Sequence, residues 1–295
     1  MFYINQNYTV DMKKIILTLT AISFALLNSG CSSGKFTSKA EKNAWKLSMQ
    51  SYTFHLFSAA EALEKTQQLG LKYIEIYPGQ KMGHDFSDAV FGYNLSNDNQ
   101  EKLKKLAASK GVKIVSSGVW TASREEWEKI FSFARNMDME FISAEPARED
   151  WDVVESLARE YGIKVATHNH PNENSYWKPE ILLDYIGQRD ALLGSSADVG
   201  HFKRMNVEPI SALKELQDRL ISLHFKDIAP QENNNTFEDV VWGTGVLDVK
   251  SMLQELKRQK FKGYFTIEYE ANWENNLPEI RQSIDYFNEI VNEIL

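Results

Sequence analysis

From Trp45 to Leu295 the chain alternates two hydrophobic patterns. Short apolar and β-branched runs mark strands, and each is followed by a stretch with apolar residues three and four apart, the spacing of one helix face. The runs are Leu47–Tyr52, Tyr73–Tyr77, Val112–Ser116, Phe141–Glu145, Val165–His170, Ser195–Asp198, Ile221–Asp227 and Tyr264–Glu268. Helix starts are written between them. Ser58 and Glu61, and again Ser123 and Glu126, have the spacing of a capping box. Asp150 and Asp248 stand where N-caps are needed, Pro179 suits a first turn, and Gly70, Gly111 and Gly162 mark stops. Eight strand–helix units in about 250 residues predict a (β/α)8 TIM barrel, one α/β domain over residues 45–295. A doubly wound open sheet is the alternative, but it rarely gives eight such regular units.

The strands end in chemistry. Ile-Ser-Leu-His-Phe-Lys-Asp (221–227) is apolar at its start and polar at its end, as a buried parallel strand opening into a pocket should be. All six histidines, His55, His84, His168, His170, His201 and His224, fall at or after predicted strand ends, and none falls in a predicted helix. Glu145, Asp198, His224 and Glu268 follow the fourth, sixth, seventh and eighth strands, ends that a closed barrel brings to one mouth. Three carboxylates and one imidazole, with no thiolate, suit one divalent ion: Mn²⁺, Mg²⁺, Co²⁺ or Zn²⁺. Such an ion polarises a carbonyl and stabilises an enediolate. Glu145 and Glu268 are also candidates for the acid and base of a proton transfer next to that carbonyl. His170, His201 and Lys226 lie close to these positions and suit substrate hydroxyls or support of the ligands. His168 is two residues before His170, on the same face of an extended strand. Trp120, Trp177, Trp242 and Trp273 fall in loops at the same end, where aromatic faces suit a sugar. Each residue alone has a plainer reading, as a solvated rim carboxylate, a structural histidine or a packing lid. The convergence carries the inference.

The N-terminus changes the picture of where the domain works. Lys13-Lys14, the apolar run Ile15–Leu27 and Asn28-Ser29-Gly30-Cys31 read as a secretory signal over residues 1–30, with Met12 as an alternative start. The run is short for a membrane span. Cys31, the sole cysteine, excludes an intrachain disulfide, and its place after Ser-Gly resembles a bacterial lipoprotein signal, although Leu27 is one place further upstream than the favoured position. Lipidation at Cys31, a tether over residues 31–44 and a location in the cell envelope or periplasm are therefore expected. Ordinary secretion and a cytoplasmic protein with a misread start are the alternatives. The 33 basic and 41 acidic residues of the chain lose Lys13, Lys14 and Asp11 with the signal, which leaves 31 against 40 and a net charge of −9. That argues against nucleic acid as a partner.

Glu-Pro (145–146), His-Asn-His (168–170), Asp-Val-Gly-His (198–201), Leu-His-Phe-Lys-Asp (223–227), Trp-Gly-Thr-Gly-Val-Leu-Asp (242–248) and Ile-Glu-Tyr-Glu (267–270) resemble, in this order, the xylose-isomerase-like barrel superfamily. More narrowly they are similar to its sugar phosphate isomerase/epimerase group, with ketose 3-epimerases and inosose dehydratases as relatives. The resemblance implies that Glu145, Asp198, His224 and Glu268 hold the metal, that Glu145 and Glu268 are the acid/base pair, and that His201 contacts a substrate oxygen. Lys226 stands near where some ketose epimerases place an arginine. Endonuclease IV-like enzymes share the barrel, but they need a further histidine after the seventh strand, and residues 228–247 contain none. An exported protein rarely meets sugar phosphates, so the expected substrate is an unphosphorylated keto-sugar. The expected activity is metal-dependent isomerisation or epimerisation. A C–O lyase or hydratase acting on keto-sugars or 3-keto-glycosides, and a non-catalytic sugar-binding lipoprotein, are the alternatives. A homodimer is implied by analogy.

Overall fold

The computed structural model describes residues 38–232 and 236–295. The expected signal segment, Cys31 and the first half of the tether lie outside them. The last part of that tether, Lys39–Lys42, is a short helix with Ala40 buried, and Lys39 Nζ donates to the Asn292 carbonyl at 2.9 Å.

Eight parallel strands close into a barrel: β1 (Trp45–Gln50), β2 (Tyr73–Ile76), β3 (Lys113–Trp120), β4 (Phe141–Ala144), β5 (Lys164–His168), β6 (Leu193–Asp198), β7 (Leu220–Phe225) and, last in sequence, β10 (Gly263–Ile267), which pairs with both β7 and β1. Each predicted strand is present, most with their ends shifted by one to three residues. The helices lie where the periodicity placed them, and the core between helices and strands is rich in aromatic rings. Phe225 meets Trp242 at 4.9 Å and Phe265 at 5.5 Å, and Phe265 meets Trp45 at 5.0 Å. A separate small cluster, Val115, Phe141, Ala166 and Tyr264, joins four different strands. Tyr264, Thr266 and Glu268 alternate onto one face, so this cluster closes the barrel beneath its polar end.

The caps divide. Ser58 and Glu61 form the full reciprocal box, and Asp248 accepts from Ser251 N–H at 2.9 Å. Glu126 receives the Ser123 N–H and hydroxyl, but that turn precedes a helix that begins at Trp127. Asp150 does not cap its helix, because its carboxylate is taken by Arg124 and the Trp127 indole N–H. His201 is another departure. It lies in the short helix Val199–Arg204 rather than in a loop, because Asp198 ends β6 and at once caps that helix through the His201 N–H at 2.7 Å.

The predicted long loop after β7 contains an antiparallel hairpin, β8 (Asp227–Pro230) with β9 (Phe237–Val240). Asp227 holds its base. Its buried carboxylate accepts four backbone N–H groups, from Ile228, Gly243, Gly245 and Leu247, at 2.9 to 3.1 Å. A Cβ on residue 245 would sit 2.3 Å from Asp227 Oδ1, so the Gly-Thr-Gly turn is required by the close approach of backbone to carboxylate. Asp227→Ala strands four donors, those of Ile228 and Leu247 buried, and should cost about 3 kcal/mol. Ser58→Ala, the loss of an exposed cap, should cost about 1 kcal/mol. Urea unfolding of both variants checks the order, and equal losses would contradict this role for Asp227.

Candidate active site

The ladder of the barrel brings the site residues side by side. Asp198 pairs in register with His224, and His224 with Thr266, two residues before Glu268. The ligand atoms of Asp198, His224 and Glu268 lie within 4.8 Å of one another, and all three residues are buried. Glu145 stands apart from this trio. Its Oε1 accepts from the His170 N–H at 2.9 Å and the Ser175 hydroxyl at 3.1 Å, and lies 2.7 Å from His170 Nδ1. His168 links the two halves, grouped with Glu145 and His170 on one side and with Asp198 and His201 on the other. Asn169 faces away from these histidines. Its amide exchanges two hydrogen bonds with the Asp198 backbone and so ties the end of β5 to the end of β6.

A carboxylate the sequence reading passed over completes the centre. Glu75, on β2 and fully buried, accepts from Gln50 at 2.6 Å and from the Ser116 hydroxyl at 2.5 Å, its register neighbours on β1 and β3. It reaches across the barrel to His224 Nε2 at 2.8 Å, while His224 Nδ1 lies 3.1 Å from Glu268. Burial pushes the His224 imidazole down, but Glu268 and Glu75 outweigh it and raise it to about 10. Without a metal His224 is therefore an imidazolium donating to a carboxylate on either side. The signal was present in Tyr-Ile-Glu-Ile-Tyr, where alternation puts Glu75 on one face with Tyr73 and Tyr77.

Of the two places expected for Lys226, against substrate hydroxyls or in support of the ligand residues, it takes the second. It is fully buried, with Nζ 3.0 Å from Asp198, 2.9 Å from Glu268 and 3.0 Å from Glu270. Burial opposes its charge, but these carboxylates win and hold its pKa well above that of a free lysine. Burial likewise raises Glu268, and Lys226 and His224 together hold it well below the usual carboxylate range. Its stem runs over Gly200, where a Cβ would come within 2.6 Å of Lys226 Cδ. Asp198 Oδ2, although 3.0 Å from that ammonium, is buried and receives no hydrogen bond, and His168 Nδ1 is buried and unpartnered.

His201 is held in one tautomer. Arg204 Nη1 lies 3.0 Å from its Nδ1, and a guanidinium only donates, so the ring proton of the neutral imidazole is on Nε2. Burial, then the Lys226 charge, keeps His201 neutral. Burial and the neighbouring His224 do the same for His168. Burial lowers His170, but the Glu145 hydrogen bond together with the charges of Glu145, Glu268 and Asp198 outweighs it and raises the imidazole.

Above this centre opens a cavity of about 400 Å³ lined by His168, His170, His201, Glu268 and Glu270 on one side and by Gln50, Tyr52, Tyr77 and Val119 on the other. The tryptophans expected at the sugar are not among its lining residues. Trp242 is packed between Phe225 and Phe287, Trp120 lies against Tyr93 and donates to Ser117, and Trp177 meets Lys178. Rings drawn into those contacts gain more by burial than by facing a pocket, and Tyr52 and Tyr77 take their place.

Residues 63–290 match the family model described as the xylose isomerase-like TIM barrel. The chain belongs to that family. Across it lies a crystal structure of an uncharacterised protein from Parabacteroides distasonis, 36% identical, covering 83% of this chain and 99% of that one with a TM-score of 0.69. An inosose dehydratase of Lactiplantibacillus plantarum is 26% identical over 55% of this chain and 57% of its own length. The chain thus spans little more than half of that curated relative. The IolI protein, solved with a bound zinc atom, shares the fold at 17% identity, with a TM-score of 0.68 over 85% of this chain and 99% of its own. Members of this xylose isomerase-like family include isomerases, epimerases and dehydratases.

His224 gives a pH signature. A raised folded pKa contributes stability that is complete below the unfolded value near 6.5 and is lost as pH climbs toward about 10. His168 and His201, whose pKa values are depressed, act only below that window. Unfolding free energy measured in chelator should therefore fall between those limits, and Glu75→Gln should shrink the fall. A flat wild-type profile would contradict the double ion pair.

Proposed function

We propose that the cavity binds an unphosphorylated sugar ketone and that the protein, with one divalent ion, moves a proton at the carbon next to the carbonyl. The observation that carries this reading is the buried trio Asp198, His224 and Glu268 below the cavity, whose ligand atoms lie within 4.8 Å of one another. The donors fit a divalent ion of the Mn²⁺, Mg²⁺, Co²⁺ or Zn²⁺ kind: two carboxylates and an imidazole, no thiolate, and Glu75 as the outer carboxylate that fixes the ring. When bound, such an ion supplies Lewis-acid polarisation of the carbonyl.

The remaining steps fall to this chain's residues. His201 donates its Nε2–H to a substrate oxygen. Glu268, kept ionised by Lys226 and His224, accepts the proton from carbon. The Glu145–His170 pair, across the His168 bridge, returns a proton on the other side. Return to the opposite face of the same carbon gives epimerisation, whereas delivery to the former carbonyl carbon, with a proton gained at the old carbonyl oxygen and one lost from the neighbouring hydroxyl, gives isomerisation. Departure of a hydroxyl one carbon further on gives dehydration, and the similarity to an inosose dehydratase supports that second outcome.

Elemental analysis of purified protein should find close to one divalent ion per chain, and Asp198→Ala should lose it. Uptake should release a proton, since His224 must surrender its Nδ1–H to become a ligand. Glu268→Gln should lower turnover of keto-sugars or inososes by about 10³-fold. Proton NMR in D₂O separates the outcomes, since solvent deuterium with inversion marks epimerisation and loss of a C–O bond marks dehydration. Saturable sugar binding with no conversion under any of the four metals would leave a binding protein instead.

A further inference from the structure

The loops after β10, β1 and β2 are neighbours in the barrel, and they carry four ring side chains in one connected stack. Tyr52, in the turn Ser51–Phe54, lies over His55 with ring centres 5.1 Å apart and planes 22° apart. Trp273 sets its ring nearly at right angles to both, 4.3 Å from His55 and 6.1 Å from Tyr52. Tyr77 closes the inner end, edge-on to Tyr52 at 5.3 Å. Tyr52 and Tyr77 also line the cavity, so the stack runs outward from the cavity wall. It is not fully covered. Tyr52 is 41% exposed and Leu56, four residues on, 56% exposed. Tyr52 and Leu56 are two of the four large hydrophobic residues left exposed among those described, and Tyr52 also stands on the cavity wall.

We propose that this stack is a second-ring subsite: it takes the distal ring of a glycoside whose first sugar occupies the cavity. A ring joined by one glycosidic bond presents an apolar C–H or π face, which aromatic faces and edges match. Tyrosine and tryptophan hold such a face with few side-chain torsions to immobilise. The cavity is near the small end of the range for ligand pockets, and Tyr52 and Tyr77 belong both to its wall and to the stack, which favours an extension of the same ligand over a second copy of this chain. The subsite rests on the reading of the cavity as a sugar site.

The test compares three probes on the Mn²⁺-loaded full chain by calorimetry and saturation-transfer NMR: methyl β-D-glucoside with one ring, and cellobiose and phenyl β-D-glucoside with two. A two-ring probe should bind about three- to tenfold tighter than the one-ring probe, with saturation reaching its second ring. In Trp273→Ala and His55→Ala that ratio should fall close to unity, and Trp273→Phe should restore part of it. Cellobiose leading assigns the subsite to a sugar ring, and the phenyl glucoside leading assigns it to an aryl group. Equal binding of all three, binding of none, or a ratio that survives both alanine variants overturns the subsite. So does a monomer–dimer shift in those variants without a change in ratio, which marks the stack as a contact between copies. A ratio preserved in protein that takes up no metal sinks the proposed chemistry and leaves the subsite standing.

Discussion

A full positive charge buried away from water is affordable only if negative charge closes around it, and much of this barrel's polar end is arranged for that at Lys226. Asp198 comes to it from β6, and Glu268 and Glu270 from the end of β10. Gly200 is bare so that the stem can pass. Breaking a buried ion pair typically costs about 3–5 kcal/mol, because the partner is left charged and dry. Three strand ends are thus held in one geometry by one ammonium, and Glu268 is kept ionised for work. The same set has a second cation in His224, between Glu75 and Glu268. Glu75, Asp198, Glu268 and Glu270 carry four negative charges against these two positive ones, a deficit of two. A divalent ion that displaces one proton from His224 reduces the deficit to one. The electrostatics of the cluster and its affinity for a cation are one property.

Around this centre the polar side chains are fixed in role by what their neighbours can and cannot do. Arg204 cannot accept, so His201 presents Nε2–H. Arg204 Nη2 also donates to Asp239 of the hairpin at 2.6 Å, and Asp239 in turn accepts from the Glu270 N–H at 2.9 Å. Asp227 anchors that hairpin from below through four amides. The segment after β7 is therefore part of the site's scaffold, and a change in it would be felt at His201 and at Glu270, the third partner of Lys226.

The barrel was legible because its evidence is repetitive. Eight short apolar runs followed by helical spacing admit few other folds, and the residues closing the strands marked the working end. The local chemistry was less legible where a side chain had two possible partners. Asp150 has the look of a cap, but Arg124 and Trp127, remote in the chain, claim it. Lys226 reads equally as a substrate contact or as support for the ligands until the carboxylates of two other strands are placed around it. Glu75 was hidden among aromatics for a related reason: its value depends on His224, 149 positions away. The tryptophans misled because ring size predicts burial at least as strongly as it predicts ligand contact. For Asp150, Lys226 and Glu75 the deciding partner is supplied by the tertiary fold and not by the neighbouring sequence.

Closure also explains why the aromatic stack falls where it does. The carboxylates and histidines of the centre lie at the ends of β4, β5, β6, β7 and β10, and charge of that density leaves little place for exposed aromatic rings directly among them. The opposite arc, over β1 and β2, contributes a single buried carboxylate, Glu75, whose hydrogen bonds are all satisfied inside the barrel. Rings can gather there without desolvating a charge. The mouth is thereby divided into a polar half suited to hydroxyls and a carbonyl and an apolar half suited to ring faces. A ligand with both kinds of surface is held in one orientation by that division, and orientation is what a proton transfer at one chosen carbon requires.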